Sequence, residues 1–275
     1  MKITEEEFLA TYNQEKYERP SVTADIVTFT IRDEDKDSYR HNPKRNLSVL
    51  LAKRGAHPFM NAWALPGGFL RGEETIEQCA FREITEETNV APSALMHFGV
   101  FSEPDRDPRG RIISNGFLSI ISEEEVKTIS GGDAVDAQWF DVNFVKNSDG
   151  DFELSLDSKT EKLKAVLREK RTRFKKTEFD IIDSGGLAFD HAKIISTAFT
   201  VLRKNAESFD FLFDFMPEKF TLTAMQRVQE AILDTTILPA SFRRKIADYV
   251  VETEEYVTGA GHRPAKLFMR KEREE

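Results

Sequence analysis

The chain of 275 residues has little that would anchor it in a membrane or cross-link it. A single cysteine, Cys79, excludes an internal disulfide bond, and its scarcity fits a reducing compartment. No apolar run of about 18 residues is present, so no membrane-spanning helix and no membrane partner are expected. The N-terminal segment is charged and lacks an apolar core, so we expect no secretory signal. We therefore predict a cytoplasmic protein. The histidines show no spacing typical of metal ligands, and we interpret four as structural or surface residues: His57, His97, His191 and His262.

The composition is that of a folded globular protein, with 40% apolar and 32% charged residues. The length fits one large domain or two ordinary ones. The net charge of −9 is unevenly distributed, because residues 217–275 contain 10 Lys and Arg against 10 Asp and Glu. The acidity therefore belongs to the first part of the chain, and the C-terminal part is free to present local basic clusters.

The most informative segment runs from Gly68 to Val90, with the sequence GFLRGEETIEQCAFREITEETNV. If residues 74–88 are helical, Glu83, Glu86 and Glu87 stand at i, i+3 and i+4 and share one helix surface. Like charges at this spacing repel, unless a hard divalent cation such as Mg²⁺ lies among them. The pattern indicates metal-assisted attack of water on a phosphoanhydride. The alternative is a solvated acidic helix face.

These residues resemble the Nudix box, Gly-x5-Glu-x7-Arg-Glu-U-x-Glu-Glu-x-Gly-U, in which U is apolar. The matching positions are Gly68, Glu74, Arg82, Glu83, Ile84, Glu86, Glu87 and Val90. Asn89 replaces the last glycine of the pattern. The replacement is mild, because asparagine is the usual substitute for glycine in the left-handed position that closes a helix.

The resemblance implies a Mg²⁺ (or Mn²⁺) site formed by Glu83, Glu86 and Glu87, with the carbonyl oxygen of Gly68 as a possible further ligand. Arg82 would orient the glutamates through charge-assisted hydrogen bonds. Glu74 is included in the catalytic set, although its role is less defined. The base that deprotonates water varies in this superfamily and is left open.

The remaining pattern predicts an α/β fold that resembles the Nudix α/β/α sandwich with a mixed sheet. The predicted strands are residues 21–31, 47–54, 96–102, 112–122 and 137–142, with a short extended piece at 63–68 and a polar loop at 33–45. We place the Nudix domain at residues 1–208, with a β-rich insertion near 152–183. Residues 160–170 of that insertion fit either a helix or a strand. A helix is expected at 190–206.

A second domain is predicted at residues 209–275, and the aromatic run 209–215 is either a connector or an ordinary buried strand. A helix capped by Thr221 or Thr223 and ending near Asp234 leads through a turn with Pro239 to a basic helix at 241–251. A hairpin at 254–270 follows. This is the element order of a winged helix-turn-helix, which would bind double-stranded DNA. The candidate DNA-binding residues are Ser241, Arg243, Arg244, Lys245, Arg263 and Lys266. The alternative is a dimerisation or capping module whose arginines are only solvated.

The chain also resembles, from about residue 19 to residue 270, the Nudix-related regulators of NAD metabolism. The segments that carry this likeness are PSVTADIV, PDRDPRGR, LAFDHAKII, FTLTAMQRVQEAIL, FRRK and GHRPAKLF. The family implies repression of transcription, release of DNA when ADP-ribose or a related metabolite binds, and a homodimer.

The loop at residues 103–111 contains three arginines stiffened by proline and glycine, and it suits a ligand with several phosphate oxygens. The family likeness favours this loop as part of an ADP-ribose pocket, and Arg54 and Phe69 are further candidates for phosphate contact and ring stacking. The alternative is a solvated turn with internal Asp-Arg pairs. The candidate ligand-binding residues are Arg54, Phe69, Asp105, Arg106, Arg109 and Arg111.

Two functions follow, and they are compatible. The first is a Mg²⁺-dependent hydrolase that cleaves the diphosphate of ADP-ribose or a related nucleoside diphosphate derivative, coupled to DNA binding. The second is a transcriptional regulator that senses ADP-ribose with little or no turnover. Intact carboxylates favour the enzyme, because a sensor gains nothing from destroying its effector.

Overall fold

The computed structural model describes residues 3–33, 45–89, 92, 94–121, 137–171, 177–257 and 264–272. Several sequence predictions lie outside this part of the chain: most of the polar loop at 33–45, Val90, the hairpin tip at 258–261, His262 and Arg263. None of the described helices is both long enough and apolar enough to cross a membrane.

The described chain alternates strands and helices. The strands are β1 (Ser21–Asp33), β2 (Arg45–Lys53), β3 (Trp63–Ala64), β4 (Gly67–Phe69), β5 (Leu95–Phe101), β6 (Ile112–Ile120), β7 (Ala137–Lys146), β8 (Phe152–Asp157), β9 (Lys162–Arg171), β10 (Thr177–Asp183), β11 (Val250–Val257) and β12 (Ala265–Arg270). The α-helices are α1 (Glu5–Thr11), α2 (Ile76–Thr88), α3 (His191–Asn205), α4 (Phe209–Leu212), α5 (Leu222–Leu233) and α6 (Pro239–Ile246).

The main sheet is mixed and has the order β10-β9-β8-β7-β2-β1-β6-β5, with β1 and β6 parallel. The central strand β1 is buried on both faces. Ala24 and Ile26 join one apolar cluster, which contains the inner side of α2. Val27 and Phe29 join the other cluster, which contains the inner side of α3. The predicted α/β/α sandwich is therefore confirmed, and burial on both faces explains why apolar residues lie on both sides of β1.

The two ends of helix α2 are determined by capping residues in its own sequence. Thr75 accepts a hydrogen bond from the backbone N–H of Gln78, whose side chain accepts one from the Thr75 backbone N–H in return. Asn89 closes the helix in the left-handed conformation, with φ of 56°, as expected for a residue that replaces glycine. The helix begins at Ile76, so the prediction that Glu74 lies in its first turn is wrong: Glu74 precedes the cap.

The predicted β-rich segment at 152–183 is confirmed, because β8, β9 and β10 form an antiparallel meander at one edge of the main sheet. The helical alternative for residues 160–170 is wrong. Ala165 and Leu167 are buried while Lys164 and Arg168 are exposed, which is the period of a strand. The paired strands β8 and β10 on either side fix this choice.

The C-terminal element order is confirmed, with three corrections. Residues 209–215 form α4 and a 3-10 turn rather than a strand, and the ring of Phe209 packs on those of Phe242 and Tyr249. Helix α6 spans Pro239–Ile246 rather than 241–251, since Pro239 occupies its first turn instead of the preceding loop. The hairpin starts earlier than predicted, at Val250.

Two hydrogen bonds join the C-terminal domain to α3. Arg203 Nε donates to the carbonyl oxygen of Ile232 at 3.1 Å. Gln229 Nε2 donates to the carbonyl oxygen of Ala206 at 2.9 Å. Helix α5 is therefore bonded directly to the end of α3.

Phe242 tests whether the aromatic connector stabilises the C-terminal domain. It is 1% exposed, so Phe242→Ala should lower the free energy of unfolding of that domain by about 3 to 5 kcal/mol. Urea unfolding followed by far-UV circular dichroism measures this change. Phe8→Ala is the matched control, because Phe8 is 49% exposed and its loss should cost less than about 0.5 kcal/mol. Equal unfolding midpoints for the two variants would contradict the packing described here.

Candidate functional site

Arg82 is the centre of the acidic cluster on α2. Its Nε and Nη2 donate to the two carboxylate oxygens of Glu74 at 3.0 and 2.6 Å, and its Nη1 donates to Glu83 at 2.5 Å and to Glu86 at 3.4 Å. The Arg82 guanidinium, assisted by the Arg71 backbone N–H, lowers the pKa of Glu74 to about 2. Glu74 is thus fully engaged in holding Arg82. The predicted orienting role of Arg82 agrees with these contacts.

Two glycines let the backbone of β4 approach these carboxylates. A Cβ on Gly67 would lie 2.2 Å from the Ala24 carbonyl oxygen, and one on Gly68 would lie 2.4 Å from the carboxyl carbon of Glu83. Strand β4 pairs with β1 at this point, so the backbone has no room to retreat. Backbone atoms therefore require glycine at position 67, whereas a side chain at position 68 would have to displace the carboxylate of Glu83.

Glu87 lies where negative charge is crowded. Its carboxylate accepts a hydrogen bond from the Gly67 backbone N–H at 3.1 Å. The side chain as a whole is exposed, but its carboxylate lies against the backbone of β4. Desolvation of the carboxylate raises the pKa of Glu87 to about 7, and the charges of Glu83 and Asp25 add to the effect. A cation placed here would relieve that crowding.

The donor set fits a hard divalent cation, because Glu83, Glu86 and Glu87 offer carboxylate oxygens beside the backbone of Gly68. Their present orientations follow Arg82 and the Gly67 backbone N–H instead. Among the described residues, no three acidic, histidine or cysteine side chains converge into a ready-made coordination shell. Binding a metal ion would therefore require small rotations of these side chains.

A cleft of about 220 Å³ opens beside this cluster. Its lining residues are Thr23, Asp25, Arg54, Leu65, Gly67, Gly68, Phe69, Arg106, Asp107, Arg109, Phe189 and His191. Four of the six predicted ligand-binding residues are thus brought together. The other two do not line the cleft: Asp105 is exposed, and Arg111 Nη1 donates to the carbonyl oxygen of Ser102 at 2.5 Å.

Arg106 differs from the other arginines of the cleft because two carboxylates neutralise it. It is 9% exposed and donates to both oxygens of Asp190 at 3.0 and 2.7 Å and to Asp25 at 3.3 Å. A guanidinium that is already paired in this way gives the cleft a rigid wall rather than a free positive charge.

His191 belongs to the same buried network. Its Nδ1 accepts a hydrogen bond from the Leu65 backbone N–H at 2.8 Å, so Nε2 carries the proton and faces Asp25 at 3.7 Å. Burial lowers the pKa of His191 and favours this neutral form. The histidine was predicted to be structural or on the surface, and it is structural. It fixes the segment that leads from Leu65 into the two glycines.

Arg54 and Arg109 are the other two arginines of the cleft; Asp107 pairs with Arg109, while in the described part of the chain no carboxylate forms a salt bridge with Arg54. The Arg109 guanidinium lies 5.0 Å from the ring centre of Phe69 and 5.3 Å from that of Phe189. Arg54 lies 4.8 Å from the ring centre of Phe189. Burial lowers the pKa of Arg54, and the positive charge of Arg109 adds to this effect. Two neighbouring guanidinium groups make this side of the cleft suitable for an anion.

Sequence reasoning did not select Asp25, Phe189 and His191 as site residues. All three lie in segments that the family likeness already contained, PSVTADIV and LAFDHAKII. Neither segment carries a charge spacing that indicates a site, because the residues meet only when β1 and the start of α3 fold together.

In the C-terminal domain, the basic side chains of α6 lie in its last turn. Arg243, Arg244 and Lys245 are exposed, and Ser241 is half-buried. The helix predicted at 241–251 would have placed these basic residues in its first turn, which is wrong, because the helix starts at Pro239 and ends at Ile246. Lys266 on β12 donates to Glu252 at 2.9 Å, so its charge is partly neutralised.

Two family models match the chain. The NUDIX domain matches residues 27–156, and the NrtR DNA-binding winged helix domain matches residues 212–269. The chain carries a Nudix domain followed by an NrtR-type winged helix domain. This confirms the resemblance and the fold class inferred from the sequence, and Nudix hydrolases generally use divalent metal ions.

Curated relatives match each part of this architecture. The Nudix domain is similar to an ADP-ribose pyrophosphatase from Methanocaldococcus jannaschii, with 44% identity over 100 residues, 36% of this chain. The match spans 58% of that pyrophosphatase. An ADPR responsive transcriptional repressor NtrR from Acinetobacter baylyi is 27% identical over 268 residues, covering 96% of this chain and 88% of the repressor.

Two solved structures share the whole fold. A MutT/nudix family protein from Enterococcus faecalis has a TM-score of 0.72 and 27% identity, covering 98% of this chain and 94% of its own. Shewanella oneidensis NrtR complexed with a 27mer DNA has a TM-score of 0.62 and 26% identity, covering 91% and 93%. Both structures extend across the Nudix and winged helix domains.

Gly68→Ala tests the close approach that brings the backbone beside the carboxylates. The added Cβ should displace Glu83 and weaken Mn²⁺ binding about 10-fold, as measured by isothermal titration calorimetry. Gly72→Ala is the matched control, because a Cβ at Gly72 meets no atom within 4 Å. Unchanged Mn²⁺ affinity in a folded Gly68→Ala protein would show that Glu83 takes no part in the metal site.

Proposed function

We propose that the Nudix domain hydrolyses the diphosphate of ADP-ribose or a related nucleoside diphosphate derivative with the help of a divalent cation. The observation that carries the proposal is the arrangement of opposite charges across one cleft. Glu87 on α2 accepts a hydrogen bond from the backbone N–H of Gly67, which lines the cleft together with the guanidinium groups of Arg54 and Arg109. A metal-bound diphosphate needs both kinds of charge.

Glu83, Glu86 and Glu87 would hold the cation, Mg²⁺ or Mn²⁺, with the carbonyl oxygen of Gly68 as a further ligand. When bound, the ion neutralises diphosphate charge and lowers the pKa of a coordinated water. The protein's own part is to keep the carboxylates in place. Arg82 holds Glu83, and the Gly67 backbone N–H holds Glu87.

Arg54 and Arg109 would bind the diphosphate oxygens opposite the cation. Arginine suits this role because its planar group donates two parallel hydrogen bonds. The exposed ring of Phe69, 42% accessible at the mouth of the cleft, offers a face for a base. The choice of ADP-ribose draws support from the pyrophosphatase of Methanocaldococcus jannaschii and from the ADPR responsive repressor of Acinetobacter baylyi.

We further propose that the winged helix domain binds double-stranded DNA as part of a homodimer in the cytoplasm, and that the ligand of the Nudix domain controls this binding. Arg243, Arg244 and Lys245 on α6 would contact phosphates, and Arg263 and Lys266 on the hairpin would add to them. A dimer would match a palindromic operator. The similarity to NrtR complexed with a 27mer DNA supports this part.

A second candidate function is a regulator that senses ADP-ribose with little or no turnover. The repressor relative covers 96% of this chain, which favours a regulatory role for the whole molecule. The complete set of box carboxylates and their support by Arg82 favour turnover. Measurement of hydrolysis by the purified protein separates the two.

Glu86→Gln tests the catalytic proposal. Loss of one metal-binding charge should lower kcat for Mg²⁺-dependent hydrolysis of ADP-ribose by roughly 100-fold or more. Glu77→Gln is the matched control on the same helix, because 86 − 77 = 9 residues at about 3.6 per turn place Glu77 on the opposite side. Equal rates for Glu86→Gln and the wild type would remove the carboxylate from the reaction.

Arg243→Ala and Arg244→Ala test the DNA-binding proposal. Each should weaken binding to a palindromic operator and reduce the slope of log K against log salt concentration by about 1. Fluorescence anisotropy over a salt series measures both. Lys204→Ala removes an equally exposed charge from the Nudix domain and should change neither quantity. If both arginine variants behave like Lys204→Ala, α6 does not contact DNA.

A further inference from the structure

Two guanidinium groups lie side by side at the cleft, and they differ in how far they are neutralised. Arg109 donates to both oxygens of Asp107 at 3.0 and 2.7 Å. Arg54 donates through Nε to the carbonyl oxygen of Pro58 at 2.8 Å. Within the described residues no carboxylate forms a salt bridge with Arg54. Because like charges repel, a contact shared by both guanidinium groups would help to hold them side by side when no anion is bound.

Phe189 supplies that contact. Its ring centre lies 4.8 Å from the guanidinium carbon of Arg54 and 5.3 Å from that of Arg109. The face of an aromatic ring is electron-rich and attracts a cation at this distance. Phe59 packs against the ring at 4.8 Å with an interplanar angle of 63° and does not line the cleft. The ring of Phe189 therefore forms cation–π contacts with both arginines.

The backbone of Phe189 has an unusual conformation. Its φ is 50°, in the left-handed region that bulky residues avoid. The two residues that follow are fixed by the buried network, since Asp190 binds Arg106 and His191 accepts from Leu65. The fold thus maintains a strained residue at the cleft wall, as is typical of functional positions.

We propose that Phe189 is a positioning residue for anion binding: its ring holds the Arg54 and Arg109 guanidinium groups together where they bind the two phosphates of a diphosphate. The inference rests on the proposed diphosphate chemistry of the cleft, but it concerns binding and does not require turnover. The ring does not itself touch the reacting atoms. Its effect is exerted through the two arginines.

Phe189→Leu keeps an apolar side chain and removes the aromatic face. Titration of the full-length protein with inorganic pyrophosphate at constant free Mg²⁺ should show binding about 10-fold weaker than in the wild type. Adenosine carries the base of ADP-ribose without its phosphates. Nicotinamide riboside carries the second planar ring of a dinucleotide such as NAD. The affinity of the protein for each of these compounds should be unchanged. If ADP-ribose is hydrolysed, its KM should rise while kcat stays within about twofold of the wild type.

Phe59→Leu is the matched control, since Phe59 touches the same ring but neither arginine in the described contacts. It should leave pyrophosphate binding unchanged. Phe189→Tyr and Phe189→Trp preserve the aromatic face and should restore affinity to the wild-type level or above. These two variants also decide the matter if Phe189→Leu fails to fold.

The inference is overturned if folded Phe189→Leu binds pyrophosphate as the wild type does, or loses adenosine or nicotinamide riboside instead. The first result would leave the ring without a role in anion binding, and the second would make it a stacking wall for that base. Weak pyrophosphate binding by folded Phe189→Tyr and Phe189→Trp would also overturn it. Ring-dependent pyrophosphate binding without hydrolysis of ADP-ribose would reject the proposed activity and uphold the inference.

Discussion

The site depends on the ion pairs of Arg82. Three carboxylates on one surface of α2 repel one another, and Arg82 offsets this repulsion by bonding to Glu83 and Glu86 while Glu74 fixes its other edge. The arrangement depends on Gly68, since a Cβ there would displace the carboxylate of Glu83. The residues of the box therefore keep several carboxylates close together in the absence of a cation.

The opposite wall of the cleft contains several arginines, and their positive charges must be held close together despite their repulsion. Asp25 and Asp190 neutralise the buried Arg106, and His191 remains neutral between them and Leu65. Asp107 pairs with Arg109, so the charge without a salt bridge among the described residues of the cleft is that of Arg54. A diphosphate bound to a cation would lie between a negative and a positive wall. This charge distribution would fix the orientation of the diphosphate in the cleft.

Local rules made the box helix predictable, since its capping box, its left-handed Asn89 and its carboxylate spacing all lie within one short segment. The β-branched residues of β1 also predicted a strand. Prediction failed where distant segments meet. Arg106 reads as one of three equivalent loop arginines until Asp25 and Asp190 surround it, and no sequence period marks Phe189. Helix α6 was misplaced because Pro239 fits a turn and a helix start equally well.

Control of DNA binding by a ligand requires an element that links the cleft to the winged helix domain, and α3 is such an element. Its start follows Phe189 and Asp190 at the cleft, and its end carries Arg203, which bonds to Ile232 of α5. A helix of 15 residues is about 22 Å long and moves as a rigid rod. A diphosphate bound by Arg54 and Arg109 would alter their contacts with Phe189 at one end, and any resulting tilt would be carried to the winged helix domain at the other. Such coupling exists only if the ligand binds the two positions of α3 with different affinity.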